Sequence, residues 1–215
     1  MARVRDRVAG AARRAGRRAD EVRLIGITKG VAGEVVAMAA GAGLEEFGEN
    51  YVQELVAKRA QAPDATWHFV GRLQRNKVHR LLGNADVVQT LEPGAAADRL
   101  ARMAEERPVE CLVEVDFTGR RVGVAPDEAP AFVERMAARP GVRVRGLMTV
   151  APPEEDPRKA FAELRELRDR LRERFEDVRE LSMGMSADLE AAVEEGATMV
   201  RVGTAIFGPR EVEGR

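Results

Sequence analysis

The chain has 215 residues, 45% hydrophobic and 33% charged, and its 35 Lys+Arg against 36 Asp+Glu leave a formal net charge of −1. That balance excludes a disordered chain and argues against a nucleic-acid or membrane partner, either of which would draw on a basic excess. A single cysteine, Cys111, rules out an internal disulfide framework and favours a reducing, cytoplasmic setting, and no apolar run approaches the roughly 18 residues of a membrane span.

Residues 1–18 are Arg-rich, with Val4, Val8 and Ala11-Ala12 spaced for one helical face. The same composition overlaps with organellar transit peptides, against which stand Asp6 and the absence of hydroxyl residues. Strands and helices then alternate. Val22–Thr28 is a short β-branched strand, Gly33–Ala42 a helix stopped by Gly43, and Leu44–Gly48 a second strand. Asn50–Ala60 is helical, Thr66–Val70 the third strand, Gln74–Leu82 a helix and Asp86–Thr90 the fourth strand. A helix over Gly94–Glu106 has Pro93 near its start and Pro108 beyond its end. The second half repeats the rhythm: strand Val109–Phe117, helix Asp127–Ala138, strand Val142–Val150 and helix Pro157–Phe175. In that last helix Phe161, Leu164, Leu167, Leu171 and Phe175 form the apolar stripe, so its many charges are a solvated face. Strand Glu180–Met183, helix Ala187–Glu195 and strand Met199–Val202 follow; residues 203–210 are expected to turn and 211–215 to fray.

Eight strands with helices between them, and no long linker, predict one domain over residues 1–215. The parallel solutions are an open doubly wound sheet or a closed barrel. Eight units favour a (β/α)8 TIM barrel preceded by the N-terminal helix, and the lack of a Gly-x-Gly-x-x-Gly turn after the first strand weakens the dinucleotide-binding alternative.

A barrel of this kind works at the carboxyl ends of its strands. Unusual residues gather there: Lys29 after the first strand, Glu49-Asn50 after the second, His68 and Gly71 at the third, Met148 at the sixth, Ser182–Ser186 at the seventh and Arg201–Thr204 at the eighth. Only four lysines occur against 31 arginines, and only two serines, Ser182 and Ser186. A half-buried lysine can lose its proton and attack a carbonyl, which a guanidinium cannot; the plainer reading of Lys29 is an amine reaching solvent. Ser186 is placed to cap the next helix, or, with the free amides beside Gly184, to meet an anion. Gly203 allows close backbone approach and Thr204 adds a hydroxyl, in the loop position where such barrels recurrently seat phosphate. His68 is expected as an interior hydrogen-bonding residue, with a site role as the alternative; Gln74, Asn76 and Lys77 are expected to face solvent. His68 and His79 offer no metal-ligand spacing, and neither a nucleophile elbow nor a Gly-x4-Gly-Lys-Ser/Thr loop is present.

Several blocks together carry a resemblance: Ile27-Thr28-Lys29, Phe47-Gly48-Glu49-Asn50-Tyr51-Val52-Gln53-Glu54, and Trp67-His68-Phe69-Val70-Gly71 running on through Leu73-Gln74 to Asn76-Lys77. Arg145-Gly146-Leu147-Met148, Leu181-Ser182-Met183-Gly184-Met185-Ser186-Ala187-Asp188 and Met199-Val200-Arg201-Val202-Gly203-Thr204-Ala205-Ile206-Phe207-Gly208 complete it. In this order, over about residues 20–210, the chain resembles the pyridoxal phosphate homeostasis protein family. The resemblance implies a single barrel akin to the cofactor domain of alanine racemase, binding pyridoxal 5′-phosphate (PLP). By similarity Lys29 would form the Schiff base, Arg201 would meet the pyridine nitrogen, and Ser186, Gly203 and Thr204 would hold the phosphate, with Ser182 and Asn50 as further cofactor neighbours. Many relatives carry a second lysine and a proline just after the Schiff-base lysine; here Gly30-Val31-Ala32 follow, which puts a hand-over between lysines in doubt. The implied role is PLP (vitamin B6) and amino-acid homeostasis, as a monomeric carrier or buffer with little or no catalysis, serving PLP-requiring apo-enzymes. Two other readings stand: a racemase-like PLP enzyme completed by a partner subunit, and a lyase using Lys29 directly on a sugar phosphate.

Overall fold

A computed structural model describes residues 1–209. Eight parallel strands close into a barrel in sequence order: β1 (Arg23–Ile27), β2 (Glu46–Glu49), β3 (Thr66–Phe69), β4 (Val87–Leu91), β5 (Val109–Glu114), β6 (Val142–Met148), β7 (Glu180–Ser182) and β8 (Met199–Val202). The ring closes where β1 pairs with β8, Ile25 opposite Arg201, while on its other side Ile27 lies opposite Gly48 of β2. The helices are α1 (Ala2–Arg14), α2 (Gly33–Gly41), α3 (Val52–Arg59), α4 (Val78–Leu81), α5 (Ala95–Met103), α6 (Ala129–Ala137), α7 (Pro157–Arg172), α8 (Leu189–Glu194) and α9 (Thr204–Phe207).

The alternation of side chains along each strand decides what fills each face. On β3, Trp67 and Phe69 join the layer between sheet and helices, so His68 between them enters the barrel. On β8, Val200 and Val202 point outward and Met199 and Arg201 inward. The outer layer is continuous and apolar; within it Phe47 and Trp67 stack with centroids 5.2 Å apart, and Leu55, Leu100, Met136 and Phe161 are fully buried. Each such side chain contributes roughly 1.5–3 kcal/mol by leaving water. Inside the barrel the buried apolar set is small: Ile25, Leu112, Met148 and Met199.

Several boundaries differ from expectation for local reasons. The N-terminal helix stops at Arg14, short of residue 18, in a Schellman ending: Gly16 takes φ +66°, and the Arg17 amide reaches back to Ala12 O at 2.8 Å. The helix expected over Gln74–Leu82 is a 3-10 turn, Arg75–Lys77, followed by the single turn of α4. Helix α7 ends at Arg172 rather than Phe175, and residues expected to turn after Gly203 form α9. Helix α8 begins at Leu189, so Ser186 is not its cap; Asp188 stands there and its carboxylate accepts from the Met185 amide at 2.6 Å. The tail expected to fray, 211–215, lies outside the described residues.

Candidate functional site at the barrel mouth

The carboxyl ends of the strands surround a cavity of about 650 Å³, into which Lys29, Asn50, Glu114, Arg121, Met185 and Arg201 project. Of the residues that the resemblance implies as cofactor contacts, three line this cavity, Lys29, Asn50 and Arg201, and Gly71 and Met148 from the other marked strand ends join them.

Lys29 sits two residues beyond β1, half-buried, with its Nζ 5.3 Å from the centroid of the Tyr51 ring. It forms no ion pair among the described residues, whereas the chain on both sides of it is fixed. Lys58 from α3 is buried, and its ammonium donates to Thr28 O (2.6 Å), Glu49 Oε2 (2.9 Å) and Glu54 Oε2 (2.6 Å), using all three protons. The Thr28 hydroxyl donates to Glu49 Oε2 at 2.8 Å, and the Gly30 amide donates to Glu54 Oε2 at 3.1 Å. Burial works to raise the Glu54 carboxyl, but Lys58 and the Gly30 amide win and hold it below its ordinary value. A buried ion cluster of this kind is costly unless every donor is met; here it is met, and the result is a rigid seat under one free amine.

Across the mouth, Arg201 is buried, donating Nη1 to Ser182 Oγ at 2.6 Å and Nη2 to Thr149 O at 2.8 Å. Desolvation pulls its guanidinium down to about 10, which leaves it charged at neutral pH, and Glu114 opposes the fall. Glu114, at the end of β5, is pushed up to about 7 by burial, against the pull of Arg201 and Arg121. The cavity thus pairs a cation that stays charged at neutral pH with a carboxyl that burial pushes up toward neutrality.

Asn50 reaches the mouth because the β2 and β3 ends cross closely: a Cβ on Gly71 would lie 1.9 Å from Asn50 O, so only glycine fits. Ser182 lies beneath Arg201, fully buried, and does not line the cavity. Ser186, Gly203 and Thr204 follow β7 and β8 at the same end but outside the cavity lining. The hydroxyls of Ser186 and Thr204 make no hydrogen bond among the described residues. In α9 the first amides to bond within the helix are Ile206 and Phe207, both onto Gly203 O, so Thr204 and Ala205 present amides with no intrahelical acceptor. A Cβ at Gly203 would meet protein only at ordinary distance, 3.5 Å from Ile27 O, so protein packing does not require glycine there.

His68 is the interior residue expected, fully buried and bonded to Gln89 and Glu46. Gln74 and Asn76 face solvent and Lys77 is half-buried. The sequence reading missed Lys58, Glu114 and Gln89; lysine scarcity alone would have marked Lys58, whereas the partners of Glu114 and Gln89 come from distant strands. A second cavity of about 490 Å³ at the barrel's foot is lined by Arg5, Asp6, Arg23 and Glu46 and holds no lysine. No group of His, Cys, Asp and Glu among the described residues could hold a metal ion, and no helix there is long and apolar enough to cross a membrane.

The family described as alanine racemase, N-terminal domain, matches residues 2–211. A pyridoxal phosphate homeostasis protein of Aquifex aeolicus is 40% identical, covering 98% of this chain and 97% of its own. PipY of Synechococcus elongatus, solved with PLP bound, superposes with a TM-score of 0.83 at 34% identity, over 95% of this chain and all of that one. Alanine racemase of Corynebacterium glutamicum shares the fold alone, with a TM-score of 0.74 at 19% identity over 99% of this chain and 62% of that enzyme. A closed eight-stranded barrel, a match over nearly its whole length and full-length relatives at this identity make the chain a member of the pyridoxal phosphate homeostasis protein family, within the alanine racemase N-terminal domain fold.

Proposed function

We propose that this protein binds PLP through a Schiff base on Lys29 and serves as an intracellular carrier or buffer of the cofactor, with little or no turnover of its own. The observation that carries the proposal is the pairing of an unpaired, half-buried amine on a rigid seat with a buried guanidinium across a cavity of about 650 Å³.

The residues fit the group. Lys29 Nζ forms no ion pair among the described residues that it must break before it attacks an aldehyde, and Glu54 acts on it only at longer range. The free hydroxyls of Ser186 and Thr204, the open amides of Thr204 and Ala205, and the uncrowded Gly203 suit a phosphate, in the loops that follow β7 and β8. Asn50 projects an amide into the mouth as a further cofactor neighbour, and Ser182 acts from below, on Arg201.

When bound, PLP supplies an aldehyde for condensation and a ring that withdraws electrons most strongly when its nitrogen is protonated. Arg201 argues against strong withdrawal. A guanidinium keeps its protons at any working pH and donates to the ring nitrogen without transferring one, so the nitrogen stays unprotonated. The site then favours retention over bond-breaking at a bound amino acid. A racemase-like activity completed by a partner subunit is the second reading, and the buried carboxyl of Glu114 lining the cavity, where burial pushes it up, is the observation in its favour. The buried, unpaired Cys111 suits a reducing cytoplasm, with PLP-requiring apo-enzymes as recipients and a monomer as the working unit.

The test is spectroscopic. Purified protein supplied with PLP should be yellow, lose its visible band on borohydride reduction, and stay colourless as Lys29→Ala. A wild type that takes up no PLP overturns the proposal, and racemisation well above the rate of free PLP favours the second reading.

A further inference from the structure

The barrel's interior is more polar than its size requires. Besides Ile25, Leu112, Met148 and Met199 it encloses Arg201, Ser182, Gln89 and His68, all buried, on four different strands. They form one unbroken chain: Arg201 Nη1 to Ser182 Oγ (2.6 Å), Ser182 Oγ to Gln89 Oε1 (2.7 Å), Gln89 Nε2 to His68 Nδ1 (2.9 Å) and His68 Nε2 to Glu46 Oε2 (2.9 Å). Glu46 in turn faces Arg23 at 3.8 Å at the barrel's foot.

The two ends fix the direction of every proton between them. A guanidinium only donates, so Ser182 must accept from Arg201 and spend its single proton on Gln89. Gln89 must therefore offer Oε1 upward and Nε2 downward, which makes His68 Nδ1 an acceptor and places its ring proton on Nε2, aimed at Glu46. The Glu46 carboxylate only accepts, and agrees with that assignment from the other side. A fully satisfied buried network specifies one arrangement of its members, whereas a broken one leaves costly unpaired groups. The arrangement specified here commits two of the five N–H groups of Arg201, to Ser182 and to Thr149 O, and leaves three without an acceptor among the described residues in a side chain that lines the cavity.

We propose that Gln89 and His68 are positioning residues: acting through Ser182, they hold the Arg201 guanidinium at the orientation in which it meets the bound ring. The inference rests on the PLP reading given above. A residue that merely filled the barrel would affect stability and leave the cofactor's electronic environment alone. A residue that aims Arg201 alters the bound cofactor's absorption and its residence time.

The test uses full-length protein loaded with PLP. Gln89→Leu and His68→Leu should each speed PLP release about fivefold or more, on the scale of one hydrogen bond's net worth, and displace the visible band. His68→Asn, whose Oδ1 replaces Nδ1 as acceptor for Gln89, should stay within about twofold of wild type. Borohydride should still label Lys29 in all three, which separates misplaced Arg201 from a failed cofactor site. Wild-type protein gives an independent readout, because it has only two histidines and His79 is exposed. Its ring-nitrogen NMR signals should show His68 as the Nε2–H tautomer and shift on PLP loading while those of His79 do not. A wild-type band and release rate in Gln89→Leu, an Nδ1–H tautomer at His68, or no response of His68 to loading would overturn the inference. Absence of Lys29 labelling in the wild type would overturn the PLP reading, and this inference with it.

Discussion

The same eight strands carry two opposed layers that have little in common. Outward, toward the helices, lies a continuous apolar core anchored by Phe47, Trp67, Leu100 and Phe161. Inward, four apolar side chains share the barrel with a chain of polar groups that ends at the cavity. Burying polar atoms stabilises little and costs heavily when any partner is missing. The outer layer thus accounts for why the chain folds, and the inner one for what it can hold. The two ends of the barrel differ in a parallel way. Its foot is finished with ion pairs such as Arg23–Glu180 (3.0 Å), whereas its mouth keeps a lysine without an ion-pair partner among the described residues.

Substitutions in the two layers should therefore separate stability from cofactor behaviour. Trp67→Ala, in the outer layer, removes a fully buried indole that stacks on Phe47 and donates to Ala62 O at 3.0 Å. It should cost about 3–5 kcal/mol in urea unfolding, with the visible band of whatever protein remains folded unmoved. A displaced band would mean that the layers are not independent.

Lys58→Met addresses the border between the layers. It strands Glu49, buried, beside Glu54, which water partly reaches. The expected loss is about 3 kcal/mol, the low end for breaking a buried pair, together with slower borohydride-trapped labelling at Lys29, whose flanking residues lose their anchor. Wild-type labelling kinetics in a destabilised but folded Lys58→Met would show that the clamp serves the fold alone.

Glu114→Gln is the smallest of the three and the most dependent on conditions. Burial raises this carboxyl from 4.5 to about 7 in the folded protein, so the folded state binds the proton more tightly than the unfolded one. That contribution is fully present below pH 4.5 and is lost as pH rises through about 7. The glutamine variant should match wild type in acid and exceed it by up to about 3 kcal/mol above neutrality. Parallel stability curves for the two proteins from acid to alkaline pH would refute the raised carboxyl.

Periodicity made the alternation of the fold legible, from Val22–Thr28, whose core is β1, to Met199–Val202, which is β8. What local pattern missed was cooperative or very short. The turn of α9 is four residues long, and Ser186 lost its capping place because Asp188 lies nearer the point where α8 starts. Lys29 was legible because a rare residue type ended an apolar strand. Arg201 was legible at another strand's end, whereas Gly203 and Thr204, marked together with it, lie outside the cavity lining. The partners of His68 were not, because Glu46, Gln89 and Ser182 approach it only through the register of a closed ring, which no single stretch of sequence encodes.

Only four lysines occur in the whole chain, at positions 29, 58, 77 and 159. Incubation with PLP, reduction with borohydride and peptide mass spectrometry therefore give a nearly binary answer. The account predicts one pyridoxyl group per chain, on Lys29; modification of Lys58, Lys77 or Lys159 in its place, or of none, would contradict it.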